Sequence, residues 1–187
     1  MKKFFCLLLV LMLFPVLALG DSYTPKLGMT MEQFINKYNS LGAPFNSSLM
    51  ALQKPLIWTD YKNSKVGWCS PDKKTVTSIL LVSADPKAFQ KDVTAGLDEI
   101  QIYVLGSEGI LSLISVATRC ASIFAPDLLG TSLAPMCITN VMKEYYENGI
   151  SGNDLYYGQL NSETGLYLQF FVLNGDYYFK ICNGDFL

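Results

Sequence analysis

The run LYLQFFVLNGDYYFKIC, residues 166–182, decides how this chain folds. Two stretches rich in aromatic residues flank Asn174-Gly175. Both turn residues tolerate positive φ, so the pattern predicts a tight hairpin with strands Leu166 to Leu173 and Tyr177 to Cys182. Upstream, Leu155 to Leu160 reads as another strand, joined through the turn-forming stretch Asn161-Ser162-Glu163-Thr164-Gly165. The C-terminal third is therefore expected to be a three-strand antiparallel meander.

Working toward the N-terminus, Leu56 to Thr59 and Val66 to Cys69 flank the polar stretch Asp60 to Lys65 and predict a second hairpin. Thr75 to Ser83 follows as a strand, apolar on both faces in Ile79-Leu80-Leu81-Val82, as a central strand would be. Helices separate the two β regions. Ser107 to Phe124 carries a stripe of Ile110, Leu113, Ile114, Ala117, Cys120, Ala121 and Phe124, with Ser112, Ser115, Arg119 and Ser122 mostly off it. A second helix is expected from Pro135 to Glu147, with Ile138, Val141, Met142 and Tyr145 inward. Near the start, Thr30 and Gln33 have capping-box spacing, and Met31, Phe34, Ile35 and Tyr38 recur at helical spacing. Asp85-Pro86 predicts another helix start, with Ala88, Phe89, Val93 and Leu97 inward. Ile100 to Val104 fits a strand or a continuation of that helix. Ser48 to Gln53 fits one or two helical turns. The order helix, strands, helices, strands predicts an α+β fold: antiparallel sheet packed against about three to four helices, in a single domain over 21–187.

Residues 1–20 have another character. Lys2 and Lys3 precede an apolar run from Phe4 to Leu17, and Ala18-Leu19-Gly20 places small residues before a cut at Asp21. That is the layout of a cleavable secretory signal peptide, with an apolar run too short for a settled membrane span. The expected address is periplasmic or secreted. Loss of this segment removes two lysines and no acid, so the formal charge moves from −2 to −4. With a single arginine, Arg119, and Lys73-Lys74 as the densest basic spot, the chain lacks the clustered cations that nucleic acid requires.

Histidine is absent, which removes Ser-His and Cys-His nucleophiles and imidazole metal ligands together. No motif calls for a cofactor or a metal. Cys69, Cys120, Cys137 and Cys182 remain after Cys6 leaves with the signal, and an even count in an exported chain predicts disulfides. A helical hairpin puts Cys120 and Cys137 near its loop, which leaves Cys69 for Cys182. Among carboxylates only Asp98-Glu99 and Glu144 with Glu147 lie close in sequence, and Asn46-Ser47-Ser48 matches a glycosylation sequon. The aromatic crowd after residue 155 offers Tyr156, Tyr157, Tyr167, Tyr177 and Tyr178 as a contact surface. Adjacent rings must point to opposite faces of a strand, so some of them miss the core.

The segment Leu27-Gly28-Met29-Thr30-Met31-Glu32-Gln33-Phe34, with Leu41-Gly42-Ala43-Pro44 after it, resembles the opening of small exported bacterial modules. Among these are the outer-membrane assembly lipoprotein SmpA and the β-lactamase-inhibitor-like fold it shares, where a Gly-x-Thr caps the first helix. The likeness implies export and a helix-first α+β module, and no activity or site. Cys6 lies inside the apolar run, so there is no lipobox. The expected function is a non-catalytic binding domain of the cell envelope or exterior, with a protein or envelope component as partner. The alternatives are a carboxylate-based hydrolase of cell-wall or glycan material and a carrier of small apolar ligands.

Overall fold

The computed structural model describes residues 23–41, 51–71, 77–106, 109–125, 133–147, 156–161 and 165–183. The expected signal segment, the sequon match and Lys73-Lys74 lie outside these residues. Within them the chain forms helix α1 (Met31–Ser40), strands β1 (Ile57–Tyr61), β2 (Ser64–Cys69) and β3 (Thr77–Ser83), and the short helix α2 (Pro86–Phe89). Strand β4 (Glu99–Val104), helices α3 (Ile110–Phe124) and α4 (Leu133–Glu147), and strands β5 (Tyr156–Asn161), β6 (Leu166–Leu173) and β7 (Asp176–Asn183) follow. All seven strands form one antiparallel sheet in the order β1-β2-β3-β4-β7-β6-β5. The α+β class and the C-terminal meander are as expected. Two meanders, β1–β4 and β5–β7, are joined edge to edge through β4 and β7, and the chain between them contains α3 and α4.

Turn chemistry sets the registers. Asn174 and Gly175 both take positive φ (54° and 87°), and Leu173 pairs with Asp176 across them. The first hairpin is tighter than its polar stretch suggests. Only Lys62 and Asn63 lie outside the ladder, because Asp60 pairs with Lys65 and Tyr61 with Ser64. The Lys65 ammonium holds the Asp60 carboxylate at 2.8 Å, so the polar residues extend the strands instead of breaking them.

Alternation then divides the sheet into two faces. Ile79, Leu81, Ile100, Ile102, Leu168, Phe170, Phe179 and Ile181 form one face, packed with Met31, Phe34, Tyr38, Leu113, Val116 and Ile138 from the helices. Burying a side chain such as Phe179, fully inaccessible here, is worth about 2–3 kcal/mol. Helix α1 is closed at its start by the predicted reciprocal pair: Gln33 N donates to Thr30 Oγ1 at 3.2 Å, and Thr30 N to Gln33 Oε1 at 2.9 Å.

Three expectations are corrected. Helix α2 stops at Phe89, which is 49% exposed, and Val93 is only half-buried. The chain turns at Lys91 (φ 61°), and the carbonyls of Val93 and Ala95 accept from Glu32 N and Met31 N. The orphan amides at the start of α1 thus claim carbonyls that a longer α2 would have used. Leu97 is buried from an extended segment that pairs with Met29, and Ile100 to Val104 is strand. Second, the polar residues of α3 are buried: Ser115, Arg119 and Ser122 are 7%, 5% and 6% exposed. The serines bond back to Leu111 O and Thr118 O, which lets them pack like small apolar groups. Arg119 Nε donates to Tyr38 O at 2.9 Å, its guanidinium also donates to Leu41 O, and it lies 4.3 Å from the Tyr38 ring centroid. The single arginine therefore caps the C-terminus of α1, where unpaired carbonyls and the helix dipole favour a cation. Third, residues 51–53 are not helical, and residues 48–50 lie outside the described chain. Asn39 exchanges two hydrogen bonds with the Leu52 backbone (2.7 and 3.0 Å), which fixes this segment as a strap beside α1.

Arg119→Met is expected to cost about 3 kcal/mol or more, because it strips buried carbonyls of their donor; a urea midpoint within error of the parent protein would refute the cap. Gly175→Ala is expected to lose about 1 kcal/mol from positive-φ strain alone, read as a lower melting temperature with unchanged circular dichroism.

Candidate functional site

The face of the sheet turned away from α3 and α4 carries a different set of side chains. Register places Val66, Trp68, Leu80, Val82, Glu99, Gln101, Tyr103, Tyr178, Lys180, Cys182, Tyr167, Gln169 and Phe171 there, each set two residues apart along its strand. It divides into three zones. Val66, Leu80 and Val82 form a small buried cluster beneath Trp68 and Tyr103. Across the middle runs a polar row, Gln101, Lys180 and Gln169. Gln169 is 1% exposed, and its side-chain oxygen has no hydrogen-bond partner among the described residues.

The third zone is a row of rings. Phe171 and Tyr178 stack with centroids 4.8 Å apart and planes 3° from parallel, and Tyr178 lies 4.9 Å from Tyr103. These separations equal the spacing of neighbouring strands. The rings therefore stand side by side across β6, β7 and β4 and present their edges outward, as a ridge. Tyr103 Oη donates to Asp176 Oδ2 at 3.4 Å, and Gly106 N donates to Asp176 Oδ1 at 3.2 Å, which ties the end of the ridge to the β6–β7 turn. Partial desolvation, with the Asp176 charge nearby, raises the phenols of both Tyr103 and Tyr178, so both stay neutral donors. Leu173 and Leu105, 44% and 58% exposed, lie at the same end.

The predicted aromatic surface is thus only partly the observed one. Tyr167 and Tyr178 stand on this face. Tyr177 turns to the helix side and packs against the core beside Phe170. Tyr156 and Tyr157 pair in register with Phe170 and Gln169, and their side chains lie outside the described residues. Tyr103, Phe171 and Trp68 complete the surface, and the signal for Tyr103 was available: once Ile100, Ile102 and Val104 point inward, Tyr103 must point out.

At the opposite end of the same face lies a cavity of about 370 Å³ whose lining includes Lys26, Lys62, Ser64, Asp98, Glu99 and Lys180. Both acids are buried, at 5% and 7% exposure. Asp98 accepts from Tyr23 Oη, from Ala84 N at 2.7 Å and from Lys26 N at 3.2 Å. Gly96 allows that arrangement, because a Cβ there would lie 2.8 Å from Pro25 and 2.9 Å from the Tyr23 ring. Burial first, then the bond to Asp98, raises the Tyr23 phenol, which stays a donor. Glu99 pairs with Lys180 Nζ at 2.7 Å and accepts from Gln101 Nε2. Both acids of this sequence pair thus accept from protein donors at the cavity wall. Of the other acidic grouping, Glu147 pairs with Lys143 at 3.4 Å on an exposed helix face, and the Glu144 side chain lies outside the described residues.

The expected disulfides are corrected. Cys69, Cys120 and Cys182 are buried free thiols. Two strands, β3 and β4, separate Cys69 from β7, and Cys69 faces the helices whereas Cys182 shares the opposite face with Glu99. Three strand spacings of about 4.8 Å far exceed the roughly 7 Å Cα limit of a disulfide. Cys120 points into the core between α3 and the sheet, and the Cys137 side chain lies outside the described residues. Burial pushes the Cys69 thiol up to about 12 and Cys182 to about 11, and it raises Cys120 as well.

No described helix is long and apolar enough to cross a membrane. Among the described residues no group of three or more cysteine or acidic side chains is arranged to hold a metal ion. Comparison with family models, curated proteins and solved structures finds no match to the chain.

The thiols generate a pH dependence with a definite sign. Unfolded thiols ionise near 9, whereas folded Cys182 and Cys69 keep their protons to about 11 and about 12. Stability is therefore full below about pH 9 and is lost as pH rises toward 12. A urea midpoint unchanged between about pH 8 and 11 would contradict this. Iodoacetamide at about pH 8 is expected to leave the three thiols unmodified in the native protein and to label all three in urea, as read by mass spectrometry.

Proposed function

We propose that the protein is an exported, non-catalytic binding domain that docks a protein of the cell envelope along the ridge Tyr103–Tyr178–Phe171. The observation that carries this reading is the geometry of the rings. Saccharide platforms offer ring faces, whereas here Phe171 and Tyr178 stack face against face and Tyr103 leans on Tyr178 at 34°, so the row offers mainly edges. Such a ridge, flanked by the exposed Leu105 and Leu173, suits the side-chain packing of a protein partner. Export is supported by the layout of residues 1–20 and by the opening shared with small exported modules. The binding class gains from the absence of histidine and from the commitment of Asp98 and Glu99 to internal donors.

The test places a photo-crosslinking amino acid at Tyr178 in the full chain expressed in its host, with a control at Thr59 on the outermost strand. A discrete adduct with one protein from position 178 and none from 59 is expected. Phe171→Glu, which puts a charge on the ridge without touching the helix-side core, is expected to cut that adduct at least about tenfold. Equal adducts from both positions, or an adduct indifferent to Phe171→Glu in a variant with an unchanged melting temperature, would overturn the reading.

A further inference from the structure

We infer that the cavity at the other end of this face is a binding site for a small oxyanion of the phosphate type. Its lining brings three lysines together from distant parts of the chain: Lys26 ahead of α1, Lys62 in the β1–β2 turn, and Lys180 in β7. Lys180 pairs with the buried Glu99 at 2.7 Å. The charge of Asp98 is spread over the Tyr23 hydroxyl and two backbone amides. The acids form the floor, and their lone pairs face protein donors. Lys26 and Lys62 are both exposed, and they leave the lining with an excess of positive charge. Ser64 and Asn63 add polar groups to the same wall. A pocket with that balance attracts an anion at its mouth and offers several donors to its oxygens.

The turn supplies an independent observation. Lys62 holds φ 51° at the first position of a two-residue hairpin, a conformation that favours glycine. A lysine kept in a conformation that is costly for it, at the rim of a cavity with two other lysines, fits a side chain selected for its charge. The anchor is already in place, because the Lys26 amide donates to Asp98 at 3.2 Å and so sets that residue on the rim. The volume, about 370 Å³, admits a phosphate with a small organic substituent. The site does not depend on the ring ridge, and Phe171→Glu is expected to leave it unchanged.

The experiment titrates the full mature chain with inorganic phosphate at constant ionic strength, followed by amide chemical shifts. Saturable shifts at Ser64, Glu99 and Lys180 are expected. The double variant Lys26→Gln/Lys62→Gln is expected to bind at least tenfold more weakly, whereas Lys37→Gln on the exposed side of α1 leaves affinity unchanged. Two further arms separate the sources of the anion. Glycerol phosphate that binds more tightly than inorganic phosphate, with no recruitment to phosphatidylglycerol vesicles, assigns a soluble phosphate ester. Recruitment to those vesicles that is lost in the double variant assigns a lipid headgroup. Absence of saturation up to about 10 mM phosphate, or equal affinity in the double variant, overturns the site.

Discussion

The pairing of β4 with β7 is the contact on which the rest of the molecule depends. Six residue pairs, from Glu99↔Cys182 to Val104↔Tyr177, weld an N-terminal four-strand meander to a C-terminal three-strand one. Without it each half would expose a sheet edge and half of a core. Side-chain period along a strand is two, so a one-residue slip here would send Ile100, Ile102, Phe179 and Ile181 to the wrong face. The same slip would separate Glu99 from Lys180 and Tyr103 from Tyr178. Core, ion pair and ring ridge are therefore three consequences of one register. The cross-strand ion pair, with side chains 10% and 20% exposed, also favours that register over its neighbours, since a displaced Glu99 would be buried without its cation.

Most of the fold was legible in local chemistry. Asn174-Gly175, the Thr30–Gln33 box and the apolar stripe of α3 each act within a few residues, and each appears as read. What escaped was decided by distant partners. Residues 90–97 leave the helical path because the first amides of α1 take their carbonyls. Arg119 is buried because the carbonyls ending α1 lie within its reach, across 81 residues of chain. The order of strands escaped for the same reason, since no local signal says that the seventh strand inserts beside the fourth.

The candidate site was legible only in kind. Aromatic crowding after residue 155 pointed to a surface, and alternation required that Tyr177 and Tyr178 part company, as they do. One of the three ridge rings, Tyr103, lay elsewhere, on β4, and was hidden while Ile100 to Val104 stood between helix and strand. The cysteines misled through their even number, because parity says nothing about which face or strand a thiol occupies. Burial offers a consistent alternative to pairing: thiols held protonated well above neutrality are poor nucleophiles and are slow to oxidise.

The two zones of the second face relate to stability in opposite ways. The ridge largely satisfies itself, since its rings pack on one another and the Tyr103 hydroxyl bonds to Asp176, so its exposed edges and leucines are surplus to folding. The cavity, by contrast, contains a buried pair that folding tolerates, with two further exposed lysines in its lining. Between them, Gln169 buries an acceptor that has no donor among the described residues, and such a group costs about 1–3 kcal/mol relative to an apolar residue of the same shape. A face shaped only for stability would carry an apolar residue at that position and glycine at the turn that Lys62 occupies. Both departures lie on the face that carries the ridge and the cavity, where the proposed binding would account for them.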